Sequence, residues 1–127
     1  MPDKVTYEYA VIRVVPRVER EEFMNVGVIL FSKRKRYLGL KYKIDEKRIT
    51  AFSPEVDIDQ LKTYLKAWEE VCAGQPKGGP IGKQDQAYRF RWLTANRSTI
   101  VQSSRPHPGI CESPEPLLGK LFEFYVG

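Results

Sequence analysis

Apolar residues along the 127-residue chain recur at two periods, and the period divides the chain into strands and helices. Residues 5–16 carry Val, Tyr, Ile and Thr on both alternating sets, broken mainly by Glu8 and Arg13. That is the pattern of a central strand covered on both faces, and Pro16 ends it. A charged connection, residues 17–24, leads into a second and more apolar strand, residues 25–32 (NVGVILFS). In residues 37–42, Leu38, Leu40 and Tyr42 alternate with Tyr37, Gly39 and Lys41, which predicts a third strand. Lys33, Arg34, Lys35 and Arg36 lie between the second and third, so the pair is expected to form a hairpin with a basic tip.

The clearest helix is marked by Ile58, Leu61, Leu65, Trp68 and Cys72, at three- and four-residue steps, with Tyr64 and Val71 widening the stripe. Asp57 is placed to cap the amide of Gln60, Gln60 to reach back, and Val56 to pack on Leu61; Gly74 supplies the stop. A shorter helix over residues 45–52 is expected to end before Pro54. Residues 74–82 (GQPKGGPIG) are too rich in Gly and Pro to predict any regular element. Residues 84–95 fit both periods: Tyr88, Phe90 and Trp92 alternate with Arg89 and Arg91, while Ala87, Phe90 and Leu93 fit a helix, and we read a helix. Residues 98–103 then form a strand, 104–116 an irregular Pro-rich segment, and 116–126 a terminal helix with Leu117, Leu118, Leu121, Phe122 and Tyr125. The expectation is one domain over residues 1–127. Its fold is α+β, a mostly antiparallel sheet of about four strands with two to four helices packed on it.

Size and composition leave this picture intact. Scaling laws allow a chain of this length to bury roughly two thirds of its unfolded surface without disulfides or metals. The longest apolar run, residues 26–31, is far short of the ~18 residues of a membrane span. The start, Met1-Pro2-Asp3-Lys4, has no apolar leader pattern, so a cytoplasmic protein that does not enter membranes is expected. Cys72 and Cys111 lack a CxxC spacing and read as two reduced thiols. A formal charge of +5 favours nucleic acid or acidic partners in general without selecting either.

Three stretches together are specific: YAVIRVVPRVEREEFMNVGVILF (residues 9–31), YRFRWLTANRSTIVQS (88–103) and RPHPGIC (105–111). They resemble the bacterial domain-of-unknown-function family 3037. The resemblance implies small bacterial proteins, no defined activity, and genes often lying beside one that encodes a HipA-like kinase-fold protein. Such a protein is the partner the resemblance implies; oligomeric state stays open.

Arg13 carries the sharpest physical question, because an unpaired guanidinium among Ile12, Val14 and their neighbours costs several kcal/mol. It is expected to reach water, a carboxylate such as Glu8 or one within residues 17–22, or an anionic ligand. Arg17, Glu19, Arg20, Glu21 and Glu22 form a mixed-charge loop; Glu19 and Glu22 offer a carboxylate pair, although self-neutralised ion pairs are the commoner outcome. Asn25 and Gly27 open the second strand where backbones can approach closely. Arg91, Arg97, Ser98, Thr99 and His107 complete the candidates for binding an anion or a partner: a fork donor beside hydroxyls suits phosphate or carboxylate, and equally shapes a turn. His107 and Cys111, with Cys72, give only a weak zinc spacing, and we assign no metal and no cofactor. Lys77 stands where GxxxxGK needs its first Gly, and Gln84 follows Lys83, so no phosphate loop is read.

Three functions stay open. A protein-interaction or regulatory module leads, since no complete catalytic set is visible. Nucleic-acid binding would use the tip cations Lys33, Arg34, Lys35 and Arg36 with Arg89 and the rings around it. The bland reading of that stretch puts the rings in the core and the cations in water. A small enzyme acting on an anionic substrate would need Arg13, Arg97 and His107 to share one cleft.

Overall fold

The computed structural model describes residues 4–17, 20–74, 76–95, 97 and 99–127. Strand β1 (Val5–Val14) forms antiparallel ladders on both sides, with β2 (Met24–Ser32) on one and with β4 (Val101–Ser103) and β5 (His107–Cys111) on the other. Strand β3 (Tyr37–Tyr42) adds to the outer edge of β2 through the predicted hairpin. Its tip, residues 33–36, closes with Arg36 in the left-handed region at φ 51°. The sheet is therefore five-stranded, with β4 and β5 sharing one edge of β1.

β5 corrects the sequence reading, which left residues 104–116 irregular. Pro106 and Pro108 argue against a strand in isolation, but an edge strand needs donors on one side only, and Pro108 sits opposite Glu8 at that edge. Between β4 and β5 the ladder is carried by Ser104. Its amide donates to the Val11 carbonyl at 2.8 Å, and its buried hydroxyl accepts from the Val11 amide at 2.8 Å.

Helices cover the two faces unequally. Ala10, Ile12 and Val14 of β1 pack against α1 (Glu46–Phe52), α2 (Ile58–Ala73) and α4 (Gln86–Thr94) through Ile49, Leu61, Leu65, Phe90 and Leu93. Asp45, Asp57 and Asp85 cap these three helices by accepting from the amides of Arg48, Gln60 and Tyr88. Gln60 does not close the predicted capping box; its side chain donates to the Tyr64 hydroxyl. Gly74 ends α2 in the left-handed region at φ 72°. The following breaker-rich segment is more regular than its composition suggests, with a 3-10 turn over Pro76–Gly78 and the one-turn helix α3 (Gly79–Gly82). Gly78 permits this, because a Cβ there would stand 3.0 Å from the Glu70 carbonyl of α2.

On the opposite face lies α5 (Pro114–Tyr125), starting two residues earlier than predicted. It covers β2 and β3 through Leu118 over Val28 and Leu30, and meets β1 through a 2.6 Å bond between the Tyr125 and Tyr9 hydroxyls. Among the described residues, no helix is long and apolar enough to cross a membrane.

Candidate functional site

The ladder between β1 and β2 slips once, after Ile12 pairs with Gly27, so that Arg13 faces Asn25 and Val26 is the extra residue. Strict alternation along β1 then places Arg13 with Tyr7 and Tyr9 on the α5 face. Gln102 stands opposite it on β4, giving a polar row of Asn25, Arg13 and Gln102 across three strands. Glu8, an expected counter-ion, belongs to the other alternating set, where it accepts a two-pronged bond from Arg91. Among the described residues Arg13 has no ion pair. Its guanidinium lies 4.0 Å from the centroid of the Phe23 ring, its Nε is buried without an acceptor, and burial pulls its pKa below the ordinary arginine value.

Asn25 shares the predicament. Its Nδ2 donates to the Tyr125 carbonyl at 3.3 Å, while its Oδ1 is buried without a donor. Arg48 reaches the same helix end by donating to the Val126 carbonyl at 3.2 Å. These groups border an open cleft of about 290 Å³ lined by Phe23, Met24, Asn25, Arg48, Phe52 and Tyr125. Phe23 and Phe52 are exposed beside it, and Phe124, 79% exposed, stacks edge-on against Tyr125. Arg48 is the cation of that lining, and the Arg13 guanidinium lies against Phe23, one of its rings. Cations beside exposed rings suit recognition of a carboxylate carried on an apolar surface, while the idle Asn25 oxygen calls for a donor.

The remaining candidates lie elsewhere. Arg17 bonds Glu55 at 2.6 Å in the loop after β1, and Glu22 pairs with Arg20 at 3.7 Å, all four side chains being largely exposed. Glu19 and Ser98 lie outside the described residues. His107 is exposed on β5 opposite Tyr9, with ring centroids 5.2 Å apart, four residues along β1 from Arg13. Thr99 donates to the Val101 carbonyl at 2.7 Å. Arg97 sits behind the sheet on the α2 and α4 side, stacked 4.1 Å over Trp92 and donating to the carbonyls of Trp92 and Leu93. Arg13, Arg97 and His107 therefore share no cleft.

The basic stretch follows the reading that sent its rings to the core and its cations to water only at Phe90 and Arg91. Phe90 is buried, but so is Arg89, whose Nη1 donates to the Val71 and Cys72 carbonyls at 3.3 and 3.0 Å and so satisfies the end of α2. Tyr88 and Trp92 are the exposed rings. Lys33, Arg34, Lys35 and Arg36 are all exposed at the hairpin tip, so of the cations named for nucleic-acid binding these four remain available to a polyanion.

No three of His, Cys, Asp and Glu among the described residues are placed to hold a metal. In a strand the four-residue step from His107 to Cys111 spans about 13 Å, too far for a shared ion. Cys72 and Cys111 are both free, and burial pushes the Cys72 thiol up to about 12.

Sequence reasoning missed Phe23, Arg48, Phe52 and Tyr125. The one local signal was Phe23, an aromatic ring closing a charged connection, where solvent exposure needs a reason. Among known proteins, a family model described as protein of unknown function (DUF3037) matches residues 9–126. No curated protein and no solved structure matches the chain.

Proposed function

This chain belongs to that family of proteins of unknown function, and we propose that it serves as a protein-interaction module whose partner presents a carboxylate to Arg13. The observation that carries this reading is the buried Nε of Arg13, a donor without an acceptor; the idle Oδ1 of Asn25 opposite it is an acceptor and calls for a donor from the same partner. A polar atom held dry without a partner costs about 1–3 kcal/mol, a cost a complex can recover. The setting supports a macromolecular partner over a small ligand. The cleft is open, and its exposed rings Phe23 and Phe52, with Phe124 exposed against Tyr125 of the lining, are the residue type enriched at the centres of interfaces. Arg48 adds a second cation.

The HipA-like kinase-fold protein implied by gene neighbourhood is the partner to try first, in a bacterial cytoplasm. Co-expression followed by native mass spectrometry tests it. The expected result is a heteromeric complex that weakens at least about tenfold with Arg13→Ala and persists with Lys35→Ala. No complex, or one indifferent to Arg13, would overturn the reading.

A second reading, nucleic-acid binding, draws on the four exposed tip cations. Fluorescence anisotropy with labelled single and double strands decides it. Binding through phosphates must fall steeply with salt and with removal of the tip charges.

A further inference from the structure

We propose that a second cleft, between α2, α4 and β4, binds a monocyclic aromatic carboxylate, with its ring in an apolar floor and its carboxylate on Arg97. The cleft holds about 200 Å³ and is lined by Tyr64, Trp68, Val71, Trp92, Leu93 and Arg97 among others. That volume is below the ~300 Å³ at which sites for drug-sized ligands begin, and slightly above the ~150 Å³ that accommodates a single benzene ring elsewhere. Size therefore selects one ring. The lining selects an aromatic one, since two tryptophans and a tyrosine offer faces and edges for ring contacts.

Charge selects the substituent. Among the described residues Arg97 is the one charged member of the lining and forms no ion pair. Its guanidinium carries five N–H donors, and the two contacts it makes, with the carbonyls of Trp92 and Leu93, fix its orientation while leaving donors over. Stacking on Trp92 holds it further, so little is lost in ordering it for a ligand. Burial also pulls its pKa below the ordinary arginine value, as expected for a cation short of counter-charge. Capping the end of α4 accounts for an arginine near this point. It does not account for an aromatic cleft left open beside the cation.

This site lies on the face of the sheet opposite Arg13, and its test is independent of the partner reading. Benzoate, benzyl alcohol and acetate are titrated into the full chain while tryptophan fluorescence is followed, because both tryptophans of the protein line the cleft. Benzoate is expected to give a saturable change, with benzyl alcohol about tenfold weaker or worse and acetate silent. Arg97→Gln should reduce benzoate to the level of benzyl alcohol. Ala67→Phe, at an exposed α2 position of the lining, should abolish both while circular dichroism stays that of the parent. No saturation at millimolar benzoate, or binding unchanged in Arg97→Gln, would overturn the assignment.

Discussion

Arg13 and Asn25 stand opposite each other on β1 and β2, and each holds a buried polar atom, Nε and Oδ1, that nothing among the described residues satisfies. The pairing exists because Val26 is bulged out of the ladder. In an uninterrupted register, with Ile12 on Gly27, the residue opposite Arg13 would be Val26, and an apolar side chain would face the guanidinium.

A group kept at a cost to stability should be replaceable at a gain. Arg13→Leu is expected to leave urea stability unchanged or raise it by about 1 kcal/mol, because an apolar side chain needs no partner on the dry side of the strand. The same change should abolish partner binding. A loss of more than about 2 kcal/mol would instead give Arg13 a structural role.

Arg89 and Arg91, two residues apart on α4, should respond oppositely to their apparent exposure in sequence. Arg89→Met strips donors from two carbonyls at the end of α2 and should cost about 2–3 kcal/mol. Arg91→Ala removes an exposed pair with Glu8, with the arginine side chain 56% exposed, and should cost no more than about 1 kcal/mol. Equal losses in chemical denaturation would contradict the burial of Arg89.

Two glycines make a matched test of packing. A Cβ at Gly27 would stand 2.7 Å from the Lys41 carbonyl and 2.8 Å from Tyr42 Cβ, in a ladder that cannot move without breaking register, so Gly27→Ala should cost roughly 1–3 kcal/mol. At Gly119, inside α5, nothing lies within 4 Å of the added carbon. There alanine narrows the unfolded ensemble and should stabilise by about 0.4–1 kcal/mol, read as a rise in Tm.

Alkaline pH should loosen the contact between α5 and β1. Burial first, and then the bond to Tyr125, push the Tyr9 hydroxyl up to about 12. A raised folded value means the native state holds its proton more tightly. Its contribution is thus complete below the unfolded tyrosine pKa of about 10 and is lost as pH climbs through the folded one. Phenolate absorbance should show Tyr9 titrating late, as should Tyr42, raised to about 12 by burial and by its bond to Glu69. Tyr9→Phe should remove one late step and flatten the stability loss above pH ~10. Ordinary titration of all seven tyrosines in the native protein would refute this.

What could be read from the chain alone was whatever acts within a few residues. The apolar runs of β1 and β2, the alternation in β3, the stripe on α2, the aspartate cap at Asp57 and the glycine stop at Gly74 are local signals, and the structure keeps the elements they mark. Arg13 was also legible as a problem, since a cation amid Ile12 and Val14 needs company wherever the strand goes. Its company was not, because partners are chosen by tertiary register. Glu8 pairs with Arg91 83 positions away, Val11 with Ser104 93 away, and Tyr9 with Tyr125 116 away. No local period encodes such meetings. The bulge at Val26, the edge strand β5 with its prolines, the burial of Arg89 against the end of α2 and the two clefts are all set by which surfaces meet in the folded chain. Burying the apolar faces together settled which polar groups were satisfied on the way and which were left waiting.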